Sequence, residues 1–273
     1  MKQYKEIIVD QFRDVLNRLP EVHTALMATA KALHMPLRSF LDGMLWYDGR
    51  VGSFGNEVYA DYGIRGALYL KYFIQGSYHV ERQKVLRRFV QTCLTDGSRS
   101  FVDIGYGAPA LYISDVIAKY GSTVALLDKF ESAVVFTEEL IKHLFRDTKQ
   151  SVRCVVYDLD SQMSPGEFDV YVLFDSIEHA KDPTTSMKKI VESAPKDASF
   201  LFSIPIMKKD VLGGSKIDDV HYIEWLTVND ANTWISSVGL RIAEYELVSP
   251  NIQVDQWARG IDFKNYLVRC VKD

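Results

Sequence analysis

Cysteine is scarce in this chain: Cys93, Cys154 and Cys270 lie far apart, in apolar or strand-like stretches of 273 residues. An odd, scattered set argues against a disulfide framework or a cysteine metal site and reads as three buried thiols. Long apolar runs are missing too. None approaches the about 20 residues that cross a bilayer, and the charged N-terminus lacks the apolar core of a secretion signal. The expected setting is reducing and cytoplasmic, with no membrane partner. Nor is charge of one sign in excess. A formal net charge of -4 gives no general attraction to nucleic acid or anionic lipid. No internal repeat or low-complexity tract stands out, which argues against a solenoid.

What is present is an ordinary globular composition, 47% apolar and 25% charged, long enough for one large domain or a domain with a substantial appendage. Ile7, Ile8, Phe12, Val15, Leu16 and Leu19 form one stripe of a helix that Pro20 stops, and further helices are predicted over 22–33 and 37–46. After a glycine-rich loop the chain becomes dense in aromatics. Residues 1–95 are assigned to a helical cap over a pocket, with Tyr59, Tyr62, Arg65 and Tyr69 as candidate substrate contacts; the competing reading is that these aromatics pack in a core. They could equally form a homodimer surface. In the helix predicted over 80–92, Arg82, Arg87 and Arg88 read as the solvated face.

From residue 96 onward the pattern changes. Strands are predicted over 101–104, 123–127, 152–157, 168–174 and 199–204, alternating with helices over 110–119, 131–144 and 184–194. A helix over 228–238 and apolar segments over 243–247 and 263–271 follow. Such alternation predicts an α/β fold, a doubly wound parallel sheet whose ligands bind at the carboxyl ends of the strands.

Four features meet at those ends. In SRSFVDIGYGA a β-prone run ends in Gly105, Tyr106 and Gly107: strand, glycine turn, helix. The next strand ends in Asp128, followed by Lys129, where an acid can receive both hydroxyls of a ribose. Asp158 follows the third strand and can accept from an adenine amino group while Leu159 covers the ring. Phe174 and Asp175 close the fourth strand, beneath the reacting centre, and lead into DSIEHAKDP.

This set resembles the class I methyltransferases that use S-adenosylmethionine, within them the small-molecule type that includes the ubiquinone-biosynthesis O-methyltransferases. The resemblance covers about residues 99–273. It implies a seven-stranded sheet with the last strand antiparallel, a methionine-side wall at Gly105 and Gly107, ribose on Asp128 and adenine on Asp158. Asp103 would hold the loop and the cofactor's ammonium. Pro109 departs from the family, which usually has a third glycine there, and suits a first helical turn instead. The GxGxxG spacing of nicotinamide enzymes is not met, since Ala110 stands at the third position.

On the acceptor side, His179 is the first candidate base, because an imidazole titrates near neutral pH; the plainer reading is that Glu178 and His179 brace the loop. His221, in IDDVHYIEW, is expected over the same strand ends, with Tyr222 in a polar and aromatic rim. His179, His221 and one carboxylate could form a two-histidine, one-carboxylate metal site, but no tight ligand motif exists and no metal is assigned. The expected activity is methyl transfer to oxygen or carbon of a small organic acceptor, aromatic or carboxylated. A cofactor-binding scaffold without turnover and a nicotinamide oxidoreductase are the alternatives.

Overall fold

The computed structural model describes residues 76–94, 99–106, 116, 123–144, 152–161, 163–207, 221–250 and 263–273. The helices predicted over 4–19, 22–33 and 37–46, most of the one predicted over 110–119, and the residues Tyr59, Tyr62, Arg65, Tyr69 and Gly107 lie outside this set.

The described elements are helix α1 (Gly76–Cys93), strands β1 (Phe101–Ile104) and β2 (Val124–Asp128), helix α2 (Glu131–Leu144), strands β3 (Val152–Val156) and β4 (Val170–Phe174), a short 3-10 turn (Ile177–His179), helix α3 (Pro183–Ser193), strand β5 (Ser199–Ile206), helix α4 (Val228–Ser237) and strands β6 (Leu240–Val248) and β7 (Lys264–Lys272). They build one seven-stranded sheet in the order β3-β2-β1-β4-β5-β7-β6. β1 to β5 run parallel, and β7 lies antiparallel between β5 and β6. Strand order reverses at β1, which has β2 on one side and β4 on the other, so the crevice of a doubly wound sheet opens there.

Strands β1, β2 and β5 are buried along their whole length and mostly apolar because both faces are covered. Val102 and Ile104 of β1, Ala125 and Leu127 of β2, and Phe200 and Phe202 of β5 pack on one side, with Met187 and Ile190 of α3 and Trp234 and Ile235 of α4. Phe101, Val124, Leu126, Val170, Val172 and Leu201 point to the other, against Val85, Leu86, Phe89 and Val90 of α1. Thus α1, which falls in the stretch read from sequence as cap, is packed on the sheet. Cys93 and Cys270 are buried and Cys154 half-buried, all three as free thiols.

Strand limits differ from the sequence pattern where side chains intervene. β4 begins at Val170 and not at 168, because Asp169 turns its carboxylate to Ser100 and accepts from its amide at 2.7 Å and its hydroxyl at 2.8 Å. This ties the starts of β1 and β4 together. β5 runs on to Ile206, since β7 keeps pairing with it through Pro205↔Asn265 and Ile206↔Lys264. α3 starts where Pro183 follows an Asp182 cap, whose carboxylate accepts from the Thr185 amide at 3.0 Å.

Candidate functional site

Gly105 leaves β1 with φ of 74°, in the region that favours glycine, and its amide donates to the Leu127 carbonyl at 2.7 Å. A Cβ there would stand 2.5 Å from the Cβ of Ser176, the residue after Asp175. The glycine is therefore required twice, by its backbone angle and by the close approach of the β4 turn. At Gly105 it is Ser176 that uses the space of the absent side chain. The neighbouring Asp103 is buried in β1 and shares a face with Phe101, toward α1. The Tyr106 hydroxyl is buried, which pushes its pKa up.

Asp128 is the last residue of β2 and only 4% exposed. One of its oxygens accepts from the Phe130 amide at 3.0 Å, in a local turn at the end of the strand. Lys129 reaches across to the end of β3, with Nζ 3.1 Å from Asp158 and 3.9 Å from Asp160. Asp158 also accepts from the Asp160 amide at 3.0 Å, and the Leu159 carbonyl accepts from the Ser186 hydroxyl at 2.9 Å. Asp160 in turn accepts from the Lys181 amide at 2.7 Å. Hydrogen bonds thus fasten the loop after β3 to the DSIEHAKDP segment and the start of α3.

Asp175 adopts φ of 47°, a strained angle for a residue with a side chain. What holds it there is a polar network that sequence reading missed. Arg82 of α1 forms a hydrogen-bonded ion pair with its carboxylate. The Ser203 hydroxyl donates to it at 2.6 Å and accepts from Arg82 at 2.7 Å, and Asn265 of β7 donates at 3.3 Å. Burial alone would push the Asp175 carboxyl up, but the Arg82 charge and these donors outweigh it and hold it below the usual carboxylate range. The Arg82 side chain is only 11% exposed, so its assignment to a solvated helix face was wrong. The signal was available: counting back from Phe89 and Leu86 by seven and four residues reaches 82, which puts it on the buried stripe. Arg88 is half-exposed and pairs with Glu244 and Glu246. Ser203 and Asn265 also stood out in principle, as polar residues inside wholly buried strand segments.

The 3-10 turn after Asp175 carries Glu178 and His179 just beyond the carboxyl end of β4. Glu178 is 1% exposed, and burial first, then the nearby charge of Asp175, pushes its carboxyl well above the usual range. Its carbonyl accepts from the Tyr222 amide at 2.8 Å, and the Met207 amide donates to the Trp225 carbonyl at 3.0 Å. These bonds bring the 221–225 segment over the strand ends, as its sequence position implied. His179 and His221 meet edge to face with ring centroids 4.9 Å apart. Tyr222 stands beside them, 45% exposed. Phe174 packs with the α1-side cluster below. Tyr245 is exposed on β6, its ring tilted 54° to that of Tyr266 with centroids 5.6 Å apart.

No family model matches the sequence, and no curated protein matches it. Among solved structures, magnesium protoporphyrin IX methyltransferase (ChlM) from Synechocystis PCC 6803 with bound SAM superposes with a TM-score of 0.51 at 16% identity, over 71% of this chain and 81% of that one. The N-methyltransferase NodS from Bradyrhizobium japonicum WM9, in complex with S-adenosyl-L-homocysteine, gives 0.50 at 14% identity, over 72% and 88%. The chain has the methyltransferase fold. The [4+2]-cyclase SpnF is similar to the same degree, with a TM-score of 0.53, 14% identity and coverage of 69% and 80%. At these identities the likeness concerns the methyltransferase fold and not the chemistry.

The chemistry of the groups at the strand ends can be compared directly with the cofactor's. S-adenosylmethionine offers an ammonium, two ribose hydroxyls and an adenine amino group as donors, together with a positive sulfur. Asp128 closes β2 and Asp158 follows β3 as carboxylate acceptors, whereas Asp103 lies within β1 on the side of α1 and Asp175 is engaged by Arg82, Ser203 and Asn265.

Proposed function

We propose that this chain transfers the methyl group of S-adenosylmethionine to an oxygen or carbon atom of a small organic acceptor, aromatic or carboxylated. The observation that carries the reading is Asp128, an almost fully buried carboxylate that closes β2 beside the Gly105 turn at the point where strand order reverses. A ribose diol is a ligand whose paired donors suit such a carboxylate. In this reading Asp103, Gly105, Tyr106 and Gly107 would hold the methionine end, Asp128 and Lys129 the ribose, and Asp158 with Leu159 the adenine. Phe174 and Asp175 would form the floor below the sulfonium. The bound cofactor would supply an electrophilic methyl group.

The chain's own work is to align an acceptor with that methyl, exclude water and deal with the acceptor's proton. His179 and His221 are proposed to meet the acceptor at that end, with Tyr222 as a flat neighbour for it. Tyr59, Tyr62, Arg65 and Tyr69 are proposed to complete the acceptor pocket from the N-terminal stretch. A nicotinamide dinucleotide suits the site poorly, because its pyrophosphate would enter a region framed by carboxylates.

The reading is tested by incubating the full chain with methyl-labelled S-adenosylmethionine and a panel of phenolic, catecholic and 2-oxo-acid acceptors. Label in product supports transfer. The likeness to a cyclase keeps a second outcome open: tight S-adenosylhomocysteine binding with no label transferred to any acceptor would favour a cofactor-binding protein of other function.

A further inference from the structure

Glu178, His179 and His221 offer one carboxylate oxygen and two imidazole nitrogens that lie within 4.8 Å of one another. Two independent segments supply them, and they are tied together by the bond from the Tyr222 amide to the Glu178 carbonyl. Glu178 is the unusual member. It is 1% exposed, and among the described residues its Oε2 has no hydrogen-bond donor. A buried carboxylate oxygen without a donor is costly, and native structures retain such atoms where something else satisfies them. Both histidines are half-buried, so an ion could enter from their side.

We propose that Glu178, His179 and His221 bind a first-row transition-metal dication. Two imidazoles and one carboxylate suit zinc, iron, cobalt or manganese better than magnesium or calcium, which favour all-oxygen sites. Bonds of about 2.1 Å would place the ligand atoms roughly 3.0–3.4 Å apart, so binding draws the side chains inward by about 1–2 Å. Three protein ligands leave room for water or for an oxygen of the acceptor. In this arrangement the histidines act as ligands and not as bases. Acidification of a metal-bound oxygen would then replace a protein base in removing the acceptor's proton. That last role rests on the methyl-transfer reading, whereas binding of the cation does not.

The test uses the full chain freed of metal with a chelator and titrated with cobalt(II), followed by visible absorption and calorimetry. Saturation at one equivalent, with ligand-field bands of a nitrogen- and oxygen-bound ion, is expected. Zinc should displace the cobalt, while magnesium at the same concentration should not. His221→Ala and the near-isosteric Glu178→Gln should each weaken binding by at least about tenfold, with circular dichroism and S-adenosylhomocysteine affinity retained. Absence of saturable binding, or binding that neither substitution weakens, would overturn the site. Stronger competition by magnesium would overturn the assigned metal class. Loss of S-adenosylhomocysteine binding in the unsubstituted protein would instead count against the cofactor reading and leave the metal result standing.

Discussion

Arg82 continues the buried stripe of α1 and carries its charge to the end of β4, where Asp175 and Ser203 accept from it and Asn265 bonds to both of them. Its removal leaves the Asp175 carboxylate without its cation at a backbone angle that already stores strain. Because 43% of the Asp175 side chain remains accessible, water recovers part of the loss. Arg82→Ala is expected to cost about 1–3 kcal/mol in chemical denaturation, less than a fully buried pair would. The pH dependence follows from the depressed folded-state pKa of Asp175. Its contribution is present above the unfolded value of about 3.9 and is lost as pH falls through the lower folded value. Wild type should therefore lose stability faster than Asp175→Asn as pH drops below about 4, which denaturant midpoints across that range would check. Gly105→Ala faces both the left-handed backbone angle and the Ser176 Cβ, and should lose at least about 2 kcal/mol. Adding Ser176→Gly should restore only the steric part. Full rescue would mean that the backbone angle costs nothing.

At the scale of elements, much of the sheet was legible because its strands are apolar on both faces and its helices carry their own start signals. β1 and α2 have the limits that the sequence pattern implied, and β7 (Lys264–Lys272) is the antiparallel last strand that the resemblance implied, on the apolar segment over 263–271. α4 begins with a reciprocal cap, in which the Thr227 hydroxyl accepts from the Asp230 amide at 3.1 Å and the Asp230 carboxylate accepts from the Thr227 amide at 2.9 Å. Thr227→Ala should cost about 1 kcal/mol of stability by thermal or denaturant unfolding, with ligand binding unaffected. Less was legible where long-range pairs decide the outcome. Nothing local announces that Ser176 fills the space above Gly105, or that Asn265 meets Asp175, since these contacts exist only once β1, β4 and β7 are neighbours. Glu178 and His179 could be read as a pair from DSIEHAKDP, but the burial of Glu178 and the approach of His221 depend on the segment that returns over β4 and β5.

For the whole molecule, the seven-stranded order with its reversal at β1 sets the carboxyl ends of β1 to β4 side by side, with α1 bonded to the end of β4 through Arg82 and the 221–225 segment to the turn after it through Tyr222. Packing explains Gly105 and the Arg82 network explains Asp175, so neither by itself argues for a ligand. Asp128 carries the argument, and behind it stand Asp158 with Lys129 and the histidine pair. Asp128→Ala should weaken S-adenosylhomocysteine binding by about tenfold or more, as expected when a buried acceptor of two hydroxyls is lost, while its turn with Phe130 costs only about 1 kcal/mol in stability. The most direct measurement is a crystal structure of the full chain with S-adenosylhomocysteine. The account predicts the nucleoside at the carboxyl ends of β1 and β2, both ribose hydroxyls on the Asp128 carboxylate, and the homocysteine end beside Gly105. A ligand bound elsewhere, or a ribose turned away from Asp128, would contradict it.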